Sequence, residues 1–277
     1  MTAPNDRDDP AASGPNYQVR ALERALRILD VFSLETPEWS LTDISARIDL
    51  PKSTALRLIA VLEAWELLER SPDTERYRLG VRAFELGGIY IQSTSLEAEA
   101  RPFLQQLART YQQTANLGIL SGGEIVHIAV VAPERPIHFS AMLGQREQLH
   151  CTGLGKALVF DCTRDELAAL LERTGLPART QHTITDFDTF WRHLQEARQR
   201  GYALDDEESF LGVRCVAAPI RDARNTIVAA LSISGPRGDL PASTLPDIAT
   251  AVIAAAQGVS HRLGQRIQEG GDRAGPL

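Results

Sequence analysis

The sequence predicts an α+β protein of two domains. Its 277 residues suit two domains, and 43% of them are hydrophobic, which is enough for two cores. Within the first 80 residues, three short segments with helical apolar spacing precede a hairpin pattern. From about residue 95 onward, helical segments alternate with apolar runs typical of strands. We find no internal repeat.

Two helices and a tight turn open the chain. In residues 20–33 apolar side chains recur every three or four positions, which predicts a helix with one buried stripe. The stripe consists of Leu22, Ala25, Leu26, Leu29 and Phe32. Residues 40–48 are expected to form a shorter second helix, with Ser40 as its N-cap and Asp43 completing an acidic variant of the capping box. The Asp-Leu-Pro sequence at 49–51 then predicts a tight turn.

A third helix and a hairpin complete the first domain. Pro51 suits the first position of a helix, and apolar residues follow it at helical spacing. The buried positions are Ala55, Leu58, Ile59 and Leu62. Residues 67–80 have the pattern of two short strands around a Ser-Pro-Asp-Thr turn. Three helices followed by a hairpin predict a winged helix-turn-helix domain over residues 17–80.

The second half is predicted to be an α+β domain of the sensor type. A connecting helix forms the linker at 81–94, with Gly87-Gly88 as its weak point, and the domain itself covers residues 95–265. Its expected helices lie at 95–114, 155–161, 163–175, 186–201 and 244–264, and its expected strands at 115–120, 124–131, 213–222 and 225–235.

Composition limits what the chain can bind and where it acts. The net charge is −7, and residues 17–80 hold nine Arg or Lys against eleven Asp or Glu, so nucleic-acid binding requires a local arrangement of charge. Three scattered cysteines fit neither a disulfide framework nor a zinc cluster and indicate a reduced, cytoplasmic compartment. Residues 1–16 show no signal core and, like residues 266–277, are expected to be disordered tails. The apolar run at 248–259 is about half of a bilayer span.

Four runs of residues carry a resemblance to a known family. The first is SLTDISARIDLPKSTALRLIAVLEAWELLER…YRLG within residues 40–80, and the others are HCTGLGKAL (150–158), GYALDDEESFLGVRCVAAPI (201–220) and IVAALSISGP (227–236). In this order, over residues 17–265, the chain resembles an IclR-type transcriptional regulator. The resemblance implies a DNA-binding winged helix joined by a linker helix to a GAF-like α/β effector-binding domain. It also implies a homodimer or dimer of dimers that binds a palindromic operator on double-stranded DNA.

Two positions depart from the family's pattern. Asp49 stands in the turn before the third helix, where the family usually has glycine. Aspartate tolerates the left-handed conformation better than most residues, so we expect the turn to be kept. Glu66 replaces a second favoured glycine just before the wing, a change that concerns the entry to the wing and not the third helix.

The third helix and its surroundings supply the predicted DNA contacts. Leu50 is expected at its cap and has no side-chain acceptor, so the first-turn N–H groups are free to bind a phosphate. Lys52 and Arg57 can reach phosphate or guanine, and Arg57 is the better base reader through its bidentate fork. A merely solvated helix face is the alternative for both cations. The remaining predicted contacts are Ser53 and Thr54 on this helix, Ser40 and Thr42 on the second helix, and Arg76 and Arg78 on the wing.

A glycine-rich loop marks the predicted effector site. The run GLGK at 153–156 is not a phosphate loop, because His150 and Ala157 stand where a Walker loop needs Gly and Ser or Thr. It suits a tight loop whose helix N-terminal amides hold a carboxylate, in keeping with the small organic or aromatic acids that the resemblance implies as effectors. By the motif match, the site is lined by Thr152, Gly153, Leu154, Asp205, Cys215, Ser232 and Ser234.

Charge and strand alternation assign roles within this site. Ser232 and Ser234 lie on the same face of their strand and, with the loop amides, are expected to bind the effector's carboxylate. Asp205 would repel that carboxylate, so we assign it to a ligand hydroxyl or to protein amides. Three alternatives remain: a solvated acid for Asp205, a packed core thiol for Cys215 and a structural role for Lys156.

The residues do not favour an enzyme. Six dispersed histidines show no HxH or HExxH spacing, and we expect neither a metal nor another cofactor. The alternative function is a small-molecule sensor or enzyme whose N-terminal domain mediates protein contacts only.

Overall fold

A computed structural model describes residues 19–264, except residues 34, 94 and 137. The tails expected at 1–16 and 266–277 therefore lie outside the described residues. The chain divides into two compact units, Met1–Tyr90 and Ile91–Leu277.

The first unit is a winged helix-turn-helix, which confirms the predicted fold. Its elements are α1 (Arg20–Leu29), α2 (Leu41–Arg47), α3 (Lys52–Ala64), β1 (Leu68–Arg70) and β2 (Tyr77–Leu79), and α4 (Val81–Ser93) begins in this unit. β1 and β2 pair antiparallel, and a single bridge from Trp39 to Tyr77 extends the wing. α4 runs without interruption through Gly87 and Gly88, so the expected weak point is not a break in the helix.

The core of the first unit joins all three helices to the wing. Its buried side chains are Ile28, Ile44, Ile48, Ile59, Leu62, Leu68 and Tyr77. On α1 the core-facing side is centred on Ile28, whereas Leu22 and Leu26 are 58% and 52% exposed. The prediction that these two leucines are buried was wrong, because they lie on the flank of the stripe and turn outward.

Two non-glycine residues with positive φ follow the ends of helices, one in the turn between α2 and α3 and the other between α3 and the wing. Asp49 follows α2 with φ 54°, and Glu66 follows α3 with φ 55°. At Glu66 the turn is closed as a Schellman motif, in which Leu67 N–H donates to the Leu62 carbonyl at 2.9 Å. The turn at Asp49 is closed in the same way. Glycine usually occupies this position because a Cβ is strained there.

The start of α3 differs from the prediction by one residue. Pro51, with φ −57° and ψ 138°, is the N-cap, and the helix begins at Lys52. We had expected Leu50 at the cap, with Pro51 as the first helical residue. The N–H groups of Thr54 and Ala55 donate to the Pro51 carbonyl. The N-cap residue makes no side-chain capping hydrogen bond to α3.

Glu66→Gly is expected to stabilise the first unit by about 1 kcal/mol, because glycine adopts this left-handed conformation without the Cβ penalty. A gain of this size raises the unfolding midpoint of a small domain by roughly 4–8 °C, which thermal denaturation followed by circular dichroism can resolve. The control is Ala60→Gly within α3, where glycine should cost about 1 kcal/mol. A midpoint that falls in both variants would contradict strain at Glu66.

The second unit is an antiparallel sheet with helices on both faces, which confirms the predicted α/β architecture. Its helices are α5 (Ser95–Tyr111), α6 (Gly153–Leu158), α7 (Arg164–Leu171), α8 (Phe187–Arg200) and α9 (Leu245–Arg262). Its strands are β3 (Thr114–Ser121), β4 (Glu124–Val131), β5 (Arg146–Gln148), β6 (Ala203–Asp206), β7 (Val213–Arg221) and β8 (Ile227–Pro236), in the order β5-β4-β3-β8-β7-β6. β5 and β6 were not predicted, because three or four residues are too few for a clear alternation.

The sheet separates two hydrophobic cores. α5 and α9 cover one face, where Leu104, Leu231 and Val252 are fully buried. α6, α7 and α8 cover the other face, around side chains such as Leu154 and Phe190. In the part of the chain that is described, no helix is long and apolar enough to span a membrane.

Candidate functional site

α3 presents both of its predicted DNA-contacting cations on an exposed face. Ala55 and Ile59 point into the core. The exposed or half-buried predicted contacts are Thr42 on α2 and Lys52, Ser53, Thr54 and Arg57 on α3. Arg57 Nε donates to the Ser53 carbonyl at 3.3 Å, which holds its stem along the helix. Among the described residues Lys52 has no ion-pair partner, so its charge is available to an anion.

The other predicted DNA contacts have acidic neighbours. Ser40 Oγ donates to Asp43 Oδ2 at 2.7 Å and accepts from the Asp43 N–H, so its hydroxyl serves as the N-cap of α2. Arg76 lies 3.5 Å from the same carboxylate, and Arg78 lies 2.6 Å from Glu69. Exposed pairs of this kind contribute about 0–1 kcal/mol. Either arginine can therefore exchange its carboxylate for a phosphate at small cost.

A small, partly open cavity lies on the α6 face of the sheet. It is lined by six residues of the predicted effector site, namely Thr152, Leu154, Asp205, Cys215, Ser232 and Ser234. Seven residues that we had not predicted complete the lining, namely Asn116, His127, Phe139, Ala141, Glu147, Ser209 and Val213. Gly153 lies directly behind this wall, since a Cβ there would be 2.9 Å from Cys215 Sγ.

Strand register brings the polar residues of four strands together on one face of the sheet. Asn116 of β3 is opposite Ser232 of β8. Two residues further along β8, Ser234 is opposite Cys215 of β7, which is in turn opposite Asp205 of β6. Directly paired residues share a face of the sheet. The predicted residues are therefore brought together by three consecutive strands, and pairing of β8 with the distant strand β3 adds Asn116.

Asn116 organises the two serines. Its Nδ2 donates to Ser234 Oγ at 2.8 Å and to Ser232 Oγ at 3.4 Å. Because both hydroxyls accept from the amide, each can direct its own proton toward a ligand. The Oδ1 atom of Asn116 is buried and has no hydrogen-bond partner among the described residues. Asn116 and the two serines thus offer a ligand two hydroxyl donors and one amide oxygen acceptor.

The loop before α6 is already hydrogen bonded to itself. Thr152 Oγ1 accepts from the Gly155 N–H at 3.1 Å and donates to the Gln148 carbonyl at 2.9 Å. A Cβ at Gly155 would lie 2.1 Å from the Leu149 carbonyl oxygen, so only glycine fits. The Gly155 amide, which we had expected to be available to an effector carboxylate, is therefore occupied by Thr152. α6 also begins and ends earlier than the helix predicted at 155–161.

Asp205 is satisfied by the protein. Its Oδ1 accepts from the N–H groups of Glu208 and Ser209 at 2.8 and 3.3 Å, and its Oδ2 accepts from the Ser209 hydroxyl. Of the two roles left open for this carboxylate, the geometry matches the bond to protein amides. Burial raises the pKa of Asp205 to about 6, despite these hydrogen bonds and the nearby Lys156 charge.

Lys156 lies behind the cavity wall and is fully buried. Its Nζ forms an ion pair with Glu208, donates to the Leu204 carbonyl at 2.9 Å and lies 3.4 Å from His193 Nε2. Burial raises the pKa of Glu208 to about 7 and lowers the pKa of His193 to about 4. Lys156 thus connects α6 to β6 and the following loop, which fits the structural alternative.

The cavity cysteine is a neutral thiol. Burial, assisted by the Asp205 charge, raises the pKa of Cys215 to about 12, and its sulfur accepts from the Gly153 N–H. A thiol with such a pKa is not a nucleophile near neutral pH. Among the described residues, no three His, Cys, Asp or Glu side chains are grouped as a metal site.

The lining residues that were not predicted differ in how clearly the sequence pattern marks them. Asn116 and His127 are single polar residues inside apolar strand runs, and a buried polar side chain requires a partner or a ligand. Glu147 lies on β5, a strand too short to predict. Phe139 and Ala141 lie between β4 and β5, where the sequence has no periodicity.

Two protein-family models together match most of the chain. The model described as "IclR helix-turn-helix domain" matches residues 21–72, and "Bacterial transcriptional regulator IclR C-terminal" matches residues 88–261. The HTH-type transcriptional repressor AllR of Salmonella paratyphi A is 34% identical over 265 residues, which cover 91% of this chain and 97% of the relative. AllR of Escherichia coli K12 is also 34% identical, with 98% of its length covered.

Solved structures share the same fold. The crystal structure of an IclR transcriptional regulator from Alicyclobacillus acidocaldarius has a TM-score of 0.80 at 27% identity, covering 90% of this chain and 100% of that one. An IclR homolog from Microbacterium hydrocarbonoxydans, complexed with 4-hydroxybenzoate, has a TM-score of 0.76 at 24% identity. That likeness covers 88% of this chain and 98% of the other.

A winged helix-turn-helix followed by a domain with a polar cavity defines a ligand-responsive DNA-binding regulator. The relatives of the chain are transcriptional regulators and not enzymes. The chain belongs to the IclR family of bacterial transcriptional regulators. The resemblance seen in its motifs is thereby confirmed.

Asp205→Asn is expected to remove part of the pH dependence of stability. Because the pKa of Asp205 is raised to about 6 in the folded state, the folded protein binds more protons than the unfolded chain between about pH 4 and 6. The free energy of unfolding therefore falls as the pH rises through this window. Asparagine mimics the protonated acid, so the variant should gain on the order of 2 kcal/mol relative to the wild type from about pH 4.5 to 7.5.

Urea denaturation at the two pH values measures this difference. The control is Glu166→Gln, because the Thr163 N–H and hydroxyl lower the pKa of Glu166 and its contribution should have the opposite sign, being lost as the pH falls. A wild-type-minus-variant difference that stays constant with pH would contradict a raised pKa at Asp205.

Proposed function

We propose that this regulator is a repressor whose operator binding is modulated by a small organic or aromatic acid in the α6-face cavity. It acts in the cytoplasm as a homodimer or dimer of dimers on a palindromic operator. The relatives at 34% identity bear the name repressor, which supports the direction of regulation. The observation that carries the proposal is the set of buried polar atoms in the cavity that have no partner among the described residues, since such atoms require a ligand or water.

α3 is the proposed recognition helix, with its first turn toward the DNA backbone. The uncapped N–H groups and the Lys52 charge neutralise phosphates and position the helix. Arg57 reaches a guanine edge, because its fork can donate two hydrogen bonds to O6 and N7. Ser53 and Thr54 add hydroxyl contacts from the same turn.

Contacts outside α3 are proposed to be weaker. Thr42 contacts a phosphate from the start of α2, next to Ser40, whose hydroxyl is held by the capping interaction. Arg76 and Arg78 leave their exposed carboxylates for phosphates beside the wing, an exchange of one ion pair for another.

Arg57→Ala is expected to weaken binding to the operator by about 1–3 kcal/mol and to relax base preference at one position, whereas Lys52→Ala should weaken binding to all sequences and reduce the salt slope by about one. Gel-shift titrations at several salt concentrations, on the chain's own promoter DNA and on a scrambled fragment, measure both effects. Arg109→Ala, an exposed charge change on α5, is the control.

Two outcomes would count against this assignment. Unchanged affinity and preference in Arg57→Ala would mean that α3 does not read the operator. If the wild-type chain failed to bind its promoter DNA even at low salt, the alternative in which the N-terminal domain contacts only proteins would be favoured.

The cavity is proposed to bind the effector carboxylate through neutral donors. Ser232 and Ser234 are the donors, since within the described residues no lysine or arginine lines the cavity. Asp205 does not repel the ligand strongly because its oxygens are engaged by protein donors. Apolar walls suited to a hydrocarbon or aromatic body are formed by Phe139, Leu154 and Val213. The 4-hydroxybenzoate bound by a homolog supports this class of effector.

Ser232→Ala combined with Ser234→Ala is expected to abolish stabilisation by the effector while leaving basal DNA binding intact, because the two hydroxyls provide the carboxylate donors. Thermal-shift measurements against a panel of organic and aromatic acids test the ligand response, and a gel shift tests DNA binding. Ser121→Ala, on the same sheet but outside the cavity, is the control. An undiminished thermal shift in the double variant would rule out the serines as the carboxylate site.

Exposed apolar side chains support the proposed oligomer and its operator. Leu22 and Leu26 on α1 are more than half exposed, and Phe84 on α4 is 81% exposed. A second copy of the chain would remove such surfaces from water. A dimer of winged helices binds two half-sites, hence a palindrome. α4 leads from the wing into the second unit, and the effector acts through it by binding one arrangement of the dimer more tightly than another.

A further inference from the structure

His127 is a buried histidine whose side chain has no hydrogen-bond partner. It is 3% exposed and lines the cavity from β4. Neither Nδ1 nor Nε2 makes a hydrogen bond with a described residue. Its backbone, in contrast, is fixed on both sides, since its N–H donates to the Gln145 carbonyl and its carbonyl accepts from the Gly144 N–H. The ring is thus held in place without being satisfied.

Glu147 stands beside this ring. Its Oε2 is 3.2 Å from His127 Nε2, but the two atoms are not aligned for a hydrogen bond. Its Oε1 accepts from Gln145 Nε2 at 3.2 Å, which anchors the carboxylate. Glu147 is on the short edge strand β5 and also lines the cavity. Together the two residues form a polar pair that could accept one hydrogen bond and donate another to a third group.

The pair lies at the opposite side of the cavity from the serines. His127 is on β4 and Ser232 and Ser234 are on β8, with β3 alone between these strands. Two strand spacings separate the backbones by about 10 Å. Gly118 of β3 is opposite His127, and the space where its side chain would lie is filled by Ile125 and Leu154. Both groups line the same cavity, so a single small molecule that occupies it contacts both.

We infer that His127 and Glu147 form a second effector subsite, which binds a hydroxyl or primary amide at the end of the ligand away from its carboxylate. This inference rests on the proposed function of the cavity and narrows the effector class to acids that carry such a group. Glu147 accepts the ligand's proton, His127 donates to its oxygen, and a hydroxyl or amide is the kind of group that can do both. An acid without this group leaves the pair unsatisfied.

Calorimetric titration of the full-length protein with matched acids tests this specificity. The pairs are 4-hydroxybenzoate with benzoate and succinamate with levulinate, which differ in the donor group. A hydrogen bond to a charged acceptor favours the donor-bearing member by about tenfold or more in Kd. The ratio should fall to near one in the double variant His127→Leu and Glu147→Leu. His127→Gln keeps a donor and an acceptor and should retain part of the preference.

The midpoint of unfolding without ligand is a second measurement. If His127 had a structural role, its replacement would lower this midpoint. Because the ring makes no hydrogen bond, replacing His127 alone by leucine should leave the midpoint unchanged or raise it. His150→Leu is the matched control. This fully buried histidine bonds the Pro177 carbonyl at 3.1 Å, and its loss should lower the midpoint.

The outcomes separate this inference from the proposed function. If the wild type binds no acid of the four or of the wider panel, the effector class fails and the inference fails with it. Equal binding of both members of a pair by the wild type overturns the inference alone. So does a double variant that keeps the preference, or a His127→Leu variant whose midpoint falls as far as that of His150→Leu.

Discussion

The close approach of α6 to the rest of its domain is the constraint on which the cavity proposed for the effector depends. A Cβ at Gly155 would lie 2.1 Å from the Leu149 carbonyl oxygen, and a Cβ at Gly153 would lie 2.9 Å from Cys215 Sγ. Larger residues would displace α6, and with it Leu154, which lies between the two glycines and forms part of the cavity wall. The glycines of this motif therefore serve packing, in agreement with the absence of a Walker pattern.

The buried pair of Lys156 and Glu208 connects two walls of the cavity, one formed by α6 and the other by β6 and the loop that follows it. Burial removes water from both charges, and the bond from the lysine ammonium to the Leu204 carbonyl offsets part of that cost. Glu208 and Ser209 in turn donate their amides to Asp205, which lines the cavity. The wall from α6 and the wall from β6 are thus joined through one network. A ligand that separates them must disturb a buried charge, whereas a ligand that fits between them does not.

The parts of the site that local rules determine were accessible from the sequence. Alternation was enough to place Ser232 and Ser234 on one face, and the residue types were enough to predict a left-handed turn at Asp49. The contacts of His127 depend on the pairing of β4 with β5, a strand too short to show a pattern, and on the register between them. The outward position of Leu26 was missed for a related reason, because helical spacing identifies an apolar stripe but not which side of it finds a partner.

The acidic composition determines how such a chain can bind DNA. Its net charge is −7, and the wing arginines lie beside carboxylates, so long-range attraction to a polyanion is weak. Positive potential is concentrated at the start of α3, where Lys52 adds to the uncapped end of the helix dipole. Affinity in the proposed dimer then comes from close contacts at two half-sites, whose free energies combine when both helices bind together. In the proposed dimer, a change in the placement of the two α3 helices would therefore lower the affinity, because the two half-sites could no longer be bound together.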